Sequence, residues 1–202
     1  MKNFRTCSAL VSYLEMIFRA LNREYFADYL TMPLITVQPL EDAYGRFTSG
    51  PVWRIGDKDS KQEINISAEW LCRPIVNVAA TMLHEMTHMF CHDMGIKDTS
   101  RGCTYHNKKF KDQAEQRGLL IEHTPKYGWT LTTPSPELIE FVKSMEWDDI
   151  GISRCADSAC ARQKKPSSTR KYQCPCCGMS VRATKTVAIM CMDCKEQMQV
   201  CS

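Results

Sequence analysis

Eight of the twelve cysteines fall in the last 48 positions of a 202-residue chain, and four of them stand as Cys174-x2-Cys177 and Cys191-x2-Cys194 with 13 residues between the pairs. Each C-x2-C makes a tight knuckle whose thiolates point the same way, and four thiolates close a tetrahedron around zinc with no open position. A segment of about 30 residues cannot build a sufficient apolar core, so the metal must supply much of its folding free energy. Residues 173–202 are therefore expected to form a four-cysteine zinc ribbon, with a small hairpin built from 181–183 and 186–190 between the knuckles. Two pairs at ribbon spacing argue against a redox use; Cys155, Cys160 and Cys201 read as free thiols, and Cys176 could substitute for a neighbour although the C-P-x-C-G frame favours Cys174 and Cys177.

A disulfide framework would need an oxidising compartment and hence an export signal. Lys2 and Arg5 do precede an apolar stretch, but Glu15 and Arg19 interrupt it and no A-x-A-like site follows. The expectation is a cytoplasmic protein, nucleoid-associated if bacterial, not secreted and not in a membrane. With 44% hydrophobic and 24% charged residues, the chain is expected to be a monomer with one full core and a small appendage.

Apolar residues from Leu10 to Phe26 recur at helical spacing, with Pro33 placed to close the helix. Strand-like stretches follow at 34–37, 44–53 and 63–67. A second helix is expected from Pro74, at a first helical position, to a Gly95 cap, and a third over 107–117. After a stretch punctuated by Pro125, Pro134 and Pro136, a short helix from Glu137 to Met145 closes a first domain at 1–150. Residues 151–172 read as a basic linker.

The second helix carries His84-Glu85-Met86-Thr87-His88, the H-E-x-x-H pattern. Residues four apart lie about 6 Å from each other along a helix axis, so both imidazoles can reach one zinc, while Glu85 is placed to act as general base toward water in the open fourth position. A third ligand is required. His92 is about 12 Å along the axis from His84, too far to share its ion, and Met94 stands where an H-E-x-x-H-x-x-G-x-x-H pattern would have its last histidine. His106, after a loop containing Gly102, is the first choice, with Glu115 and His123 as alternatives.

Leu83 to His88, followed by Tyr105-His106-Asn107-Lys108-Lys109-Phe110-Lys111 and Arg117-Gly118-Leu119, resembles the SprT-like metallopeptidases, which include the Spartan proteases. Leu21 to Phe26 and Tyr44-Gly45-Arg46-Phe47 are similar to that family's upstream segments. The resemblance implies an α+β, zincin-like domain with helices packed on a small sheet. It also implies zinc on His84, His88 and His106, Glu85 as catalytic base, and cleavage of proteins bound to or crosslinked to DNA. Two zinc ions per chain are expected, one catalytic and one structural. A peptide substrate needs an open strand edge to pair with, and 63–67 is the candidate unless it is paired within the sheet. Tyr105 and Tyr127 are candidates for stabilising the oxyanion.

Charge is uneven. From Cys155 onward eight basic residues face three acids, 8 − 3 = +5, while the rest of the chain carries 18 − 20 = −2. Lys164, Lys165, Arg170, Lys171, Tyr172, Arg182 and Lys185 are expected to meet DNA, single-stranded or distorted, by neutralising phosphates and stacking a base. Two other readings stay open: a non-proteolytic DNA-binding or regulatory protein that keeps the fold as a scaffold, and a general zinc peptidase independent of DNA.

Overall fold

The computed structural model describes residues 1–40, 42–56, 59–154 and 169–201, with the backbone alone at 49 and 51. The chain divides into two compact units, Met1–Cys155 and Ala156–Ser202. The described residues make a mixed α+β protein of four α-helices and several small sheets. No helix among them is long and apolar enough to cross a membrane.

In the first unit, α1 (Cys7–Phe26) begins where the Thr6 side chain accepts the Ala9 N–H, satisfying one of the free donors of a helix start. Leu10, Leu14, Ile17, Phe18 and Leu21 form its buried stripe. The helix closes before Pro33. Ala27 and Asp28 take positive φ, and buried Asn22 holds the turn by donating to the Leu30 carbonyl (2.9 Å) and accepting the Leu30 N–H (3.1 Å).

Strands β1 (Leu34–Gln38), β2 (Gly45–Ile55) and β3 (Asp59–Ser67) form a sheet in the order β1-β3-β2, with β1 parallel and β2 antiparallel to β3. Residues 63–67, expected as an open edge, are therefore paired on both sides, and the edges of the sheet are β1 and β2. The reason is burial: Ile64, Asn65, Ile66 and Ser67 are all buried, the mark of a strand covered on both faces.

A 3-10 turn (Ala68–Trp70) leads to α2 (Ile75–Asp93), for which Pro74 is the N-cap rather than the first helical residue. Val78, Ala79, Met82, Leu83 and Met86 bury the helix in the core beside Leu14, Ile17, Phe18 and Ile64. Gly95, at φ 66°, turns the chain out.

A second sheet, its strands not among those expected from sequence, follows. It contains β4 (Thr99–Ser100), β5 (Tyr105–His106), β6 (Leu119–Thr124) and β7 (Gly128–Pro134), ordered β4-β5-β7-β6. Leu119 and Ile121 face inward while Leu120 and Glu122 are exposed, and the stretch punctuated by Pro125 and Pro134 is a hairpin. Helix α3 (Lys108–Glu115) sits between β5 and β6, and α4 (Pro136–Ser144) closes the unit.

The second unit holds β8 (Arg170–Gln173), β9 (Ser180–Ala183), β10 (Met190–Cys191), β11 (Glu196–Gln197) and β12 (Gln199–Cys201). Its sheets are β12-β8-β9 and β10-β11. The partner of 180–183 is thus 170–173, not 186–190, and residues 170–172 belong to a strand, not to a linker. Lys164 and Lys165, like Cys155 and Cys160, lie outside the described residues.

Candidate metal centres

Three imidazoles converge in the first unit. Helix α2 presents His84 and His88 from successive turns, and β5 presents His106. Nε2 of His88 lies 3.2 Å from Nε2 of His84 and 3.0 Å from Nε2 of His106. Nitrogens held at about 2.0–2.1 Å around a tetrahedral ion stand about 3.3 Å apart, so these separations fit one shared metal.

The outer nitrogens set the tautomers. Thr132 Oγ1 gives its proton to the Thr130 carbonyl (3.2 Å) and therefore accepts from His84 Nδ1 at 2.8 Å. His88 Nδ1 donates to Asp98 Oδ2 at 2.5 Å. Both bonds place N–H on Nδ1 and turn the Nε2 lone pair inward, the arrangement of a ligating histidine. Nδ1 of His106 is buried without a hydrogen-bond partner. Phe110 walls the cluster from below, its ring centroid 4.6, 4.4 and 4.8 Å from those of His84, His88 and His106. Asn107 caps α3 and accepts the Phe110 N–H, which fixes that ring one turn beyond His106.

Burial, reinforced by His88 and His106, holds His84 well below the usual imidazole range. Burial and then His88 bring His106 down to about 4, with the Tyr127 backbone and Asp98 opposing. Both rings are therefore neutral near pH 7, the form that binds metal.

Glu85 is 6% exposed. Burial raises its carboxyl above the usual range, with His88, the Phe47 N–H and Arg46 acting against the rise. Its Oε2 accepts the Phe47 N–H from edge strand β2 at 2.7 Å. This approach requires Gly45: a Cβ there would lie 2.9 Å from Glu85 Oε1 and 2.9 Å from Thr81 Cγ2. Gly128 does the same for the third histidine, since a Cβ on it would fall 2.1 Å from the His106 carbonyl oxygen and its φ is +74°.

The three histidines, Glu85, Gly45 and Phe47 line a cleft of about 810 Å³ between β2 and β7. His92 and Tyr127 also line it, but His92 packs near Phe47, ring centroids 6.0 Å apart, and stands outside the cluster. The alternative ligands lie elsewhere: Glu115 pairs with Lys111 at 3.7 Å, and His123 Nε2 is 3.1 Å from the Tyr105 hydroxyl.

In the second unit Cys174, Cys177, Cys191 and Cys194 converge. The Cys177 and Cys191 sulfurs are 3.7 Å apart, against about 3.8 Å for the edge of a tetrahedron with 2.3 Å metal–sulfur bonds. The Cys177 backbone N–H, aided by that of Cys176, pulls the Cys174 thiol down to about 7 against burial. Both groups can hold a metal ion. Cys176 is exposed, and the Cys201 thiol donates to Gln173 Oε1 at 3.5 Å.

One expected contact residue is corrected. Tyr172 is 2% exposed, packed with Cys174, Cys191 and Met198, and its hydroxyl accepts the Val187 N–H at 3.1 Å. It has no free face on which to stack a base. Arg170, Lys171, Arg182 and Lys185 are exposed, with Lys171 directly opposite Arg182 across the sheet.

Sequence reasoning did not find Asp98, Thr132 or Gly128, and it singled out Phe110 and Gly45 only as parts of the family-like segments, without a role at the site. Phe110 carries a local signal, four positions after His106. The others meet the histidines or Glu85 only through tertiary contacts. Comparison with protein-family models, curated proteins and solved structures returns no match to this chain.

Proposed function

We propose that the protein is a zinc-dependent endopeptidase of the SprT or Spartan kind, brought by its zinc ribbon to proteins bound to or crosslinked to DNA. One observation carries the reading: three inward imidazole nitrogens stand beside a buried carboxylate in an open cleft. His84, His88 and His106 would hold the ion, and Cys174, Cys177, Cys191 and Cys194 a second, structural one. When bound, a zinc ion supplies Lewis-acid activation of water and of the scissile carbonyl.

The chain supplies the rest. Glu85, fixed by Phe47, takes a proton from the attacking water at its other oxygen and returns it to the leaving amine as the peptide bond breaks. The raised affinity of its carboxyl for a proton suits a group that must hold one between two steps. Edge strand β2, carrying Gly45 to Phe47 along the cleft, offers main-chain groups to an extended peptide. On the ribbon, like charges at Lys171 and Arg182 destabilise the sheet unless an anion joins them, which supports a polyanionic partner.

Glu85→Gln should keep fold and metal yet abolish cleavage of a DNA-bound protein, assayed with and without single-stranded DNA. Equal cleavage by wild type and variant refutes the catalytic assignment, and cleavage unaffected by DNA refutes the DNA association.

A further inference from the structure

Arg73 lies on the cleft wall between the 3-10 turn and α2. Its Nε donates to the Trp70 carbonyl (2.9 Å) and its Nη2 to Thr81 Oγ1 (2.9 Å). The guanidinium carbon sits 4.0 Å from the centroid of the Tyr44 ring, which meets Trp70 edge-on at 5.4 Å. Thr81 is one helical turn before Glu85, and the two side chains close together around Gly45. The guanidinium is thereby clamped a short distance along the cleft from the proposed base.

Its anchors leave it without a counter-charge. An arginine has five N–H donors, two of which are used here on neutral oxygens. Among the described residues no carboxylate forms an ion pair with Arg73 or with Arg46, the second guanidinium of the cleft. The cleft's acids are otherwise engaged or apart: Glu85 holds the Phe47 N–H, Asp98 holds His88, and Asp42 is exposed. Burial lowers the Arg73 pKa, with only Tyr44 opposing, the sign of a cation desolvated without an anion. A half-buried, rigidly held and unpaired guanidinium is organised in advance to take a planar carboxylate through two parallel hydrogen bonds.

We propose that Arg73, stacked on Tyr44 and braced by Trp70 and Thr81, forms a carboxylate-binding subsite that selects peptides carrying an aspartate or glutamate near the bond to be cut. Arg46 adds positive potential along the same wall. The subsite rests on the cleft being the peptide site proposed above, and the proposal concerns which peptides enter it.

The test uses the full-length, metal-loaded protein and peptide pairs differing only by glutamate against glutamine, scanned across the positions flanking the cut. Cleavage by the wild type gives one readout. Equilibrium binding to the Glu85→Gln variant, by fluorescence anisotropy, gives another that needs no catalysis. At one position the glutamate peptide should be favoured about tenfold in both, as befits one charge-assisted contact. Arg73→Met should bring that ratio to about one. Arg73→Glu should invert it toward a lysine-bearing peptide, a gain that misfolding cannot produce.

Equal handling of the pair by the wild type, a ratio that survives Arg73→Met, or no peptide binding at all overturns the subsite. Discrimination of phosphoserine from serine with none between glutamate and glutamine also overturns it, in favour of phosphate. Preferential binding of the glutamate peptide without any cleavage keeps the subsite and sinks the peptidase reading instead.

Discussion

Gly45 offers a sharp test of how the proposed base is positioned. In Gly45→Ala the new methyl would sit 2.9 Å from Glu85 Oε1, 2.9 Å from Thr81 Cγ2 and 3.0 Å from Glu85 Cγ. Ordinary contacts involving carbon lie at about 3.5–4.0 Å, so roughly 0.6 Å of space must open. Thr81 and Glu85 are both buried on α2, so their backbone cannot give way without disturbing the core. Either β2 lifts, drawing the Phe47 N–H away from Oε2, or the carboxylate turns and loses that bond. Overpacking of this kind costs about 1–3 kcal/mol, comparable to one charge-assisted hydrogen bond. A displacement of about 1 Å at a reacting group can cost about 100-fold in rate. The variant should therefore melt several degrees lower and cleave peptide about 30- to 100-fold more slowly. Its metal content should be unchanged, because the three atoms nearest the new methyl belong to Glu85 and Thr81 and not to a histidine. Thermal melts, kcat/KM and metal analysis check this together. Full activity in Gly45→Ala, or loss of metal with the base undisturbed, would refute the reasoning.

Three further outcomes follow from the geometry. Asp98→Asn, which weakens the acceptor facing His88 Nδ1, should lower metal affinity by about 10- to 100-fold in a chelator competition. In the metal-free protein, His84 and His106 are held below the ordinary imidazole value. The unfolded chain then binds more protons, so stability should fall as pH drops from about 6.5 toward 4 in an acid titration followed by denaturant melts. Stability unchanged across that window would contradict the burial assigned to these rings. If the four cysteines hold a metal, removing it should unfold the second unit, since among its described residues the buried ones are Tyr172, Cys174, Cys191 and Met198. Amide signals of 170–201 that stay dispersed in chelator would count against a metal-dependent fold.

Local chemistry was legible in the sequence and distant pairing was not. The stripe of α1, the core-facing α2 with its two histidines, and the two cysteine knuckles all follow from residues within one or two turns of each other. Strand order does not: β3 differs from an edge strand only in that Asn65 and Ser67 are buried as well as Ile64 and Ile66, which depends on what covers its second face. The β6–β7 hairpin shows its alternation at Leu119 and Ile121, but Pro125 in its turn and Pro134 at the end of β7 resemble loop punctuation until the pairing is known. Tyr172, set among basic residues, reads as a surface aromatic. Its place opposite Val181 turns it into the small core of the ribbon.

His88 and His106 are separated by 18 positions. An ion held by both closes that segment into a ring, much as a disulfide would. In chain-entropy terms closing a loop of about 15 residues stabilises a fold by about 3 kcal/mol. The stretch so tethered contains Asp98, β4 and the Arg101 to Thr104 turn, and the ion proposed for catalysis would also act as a brace for this wall of the cleft. Chelation should then expose residues 94–106 to limited proteolysis while α1 and the sheet of β1, β2 and β3 stay protected.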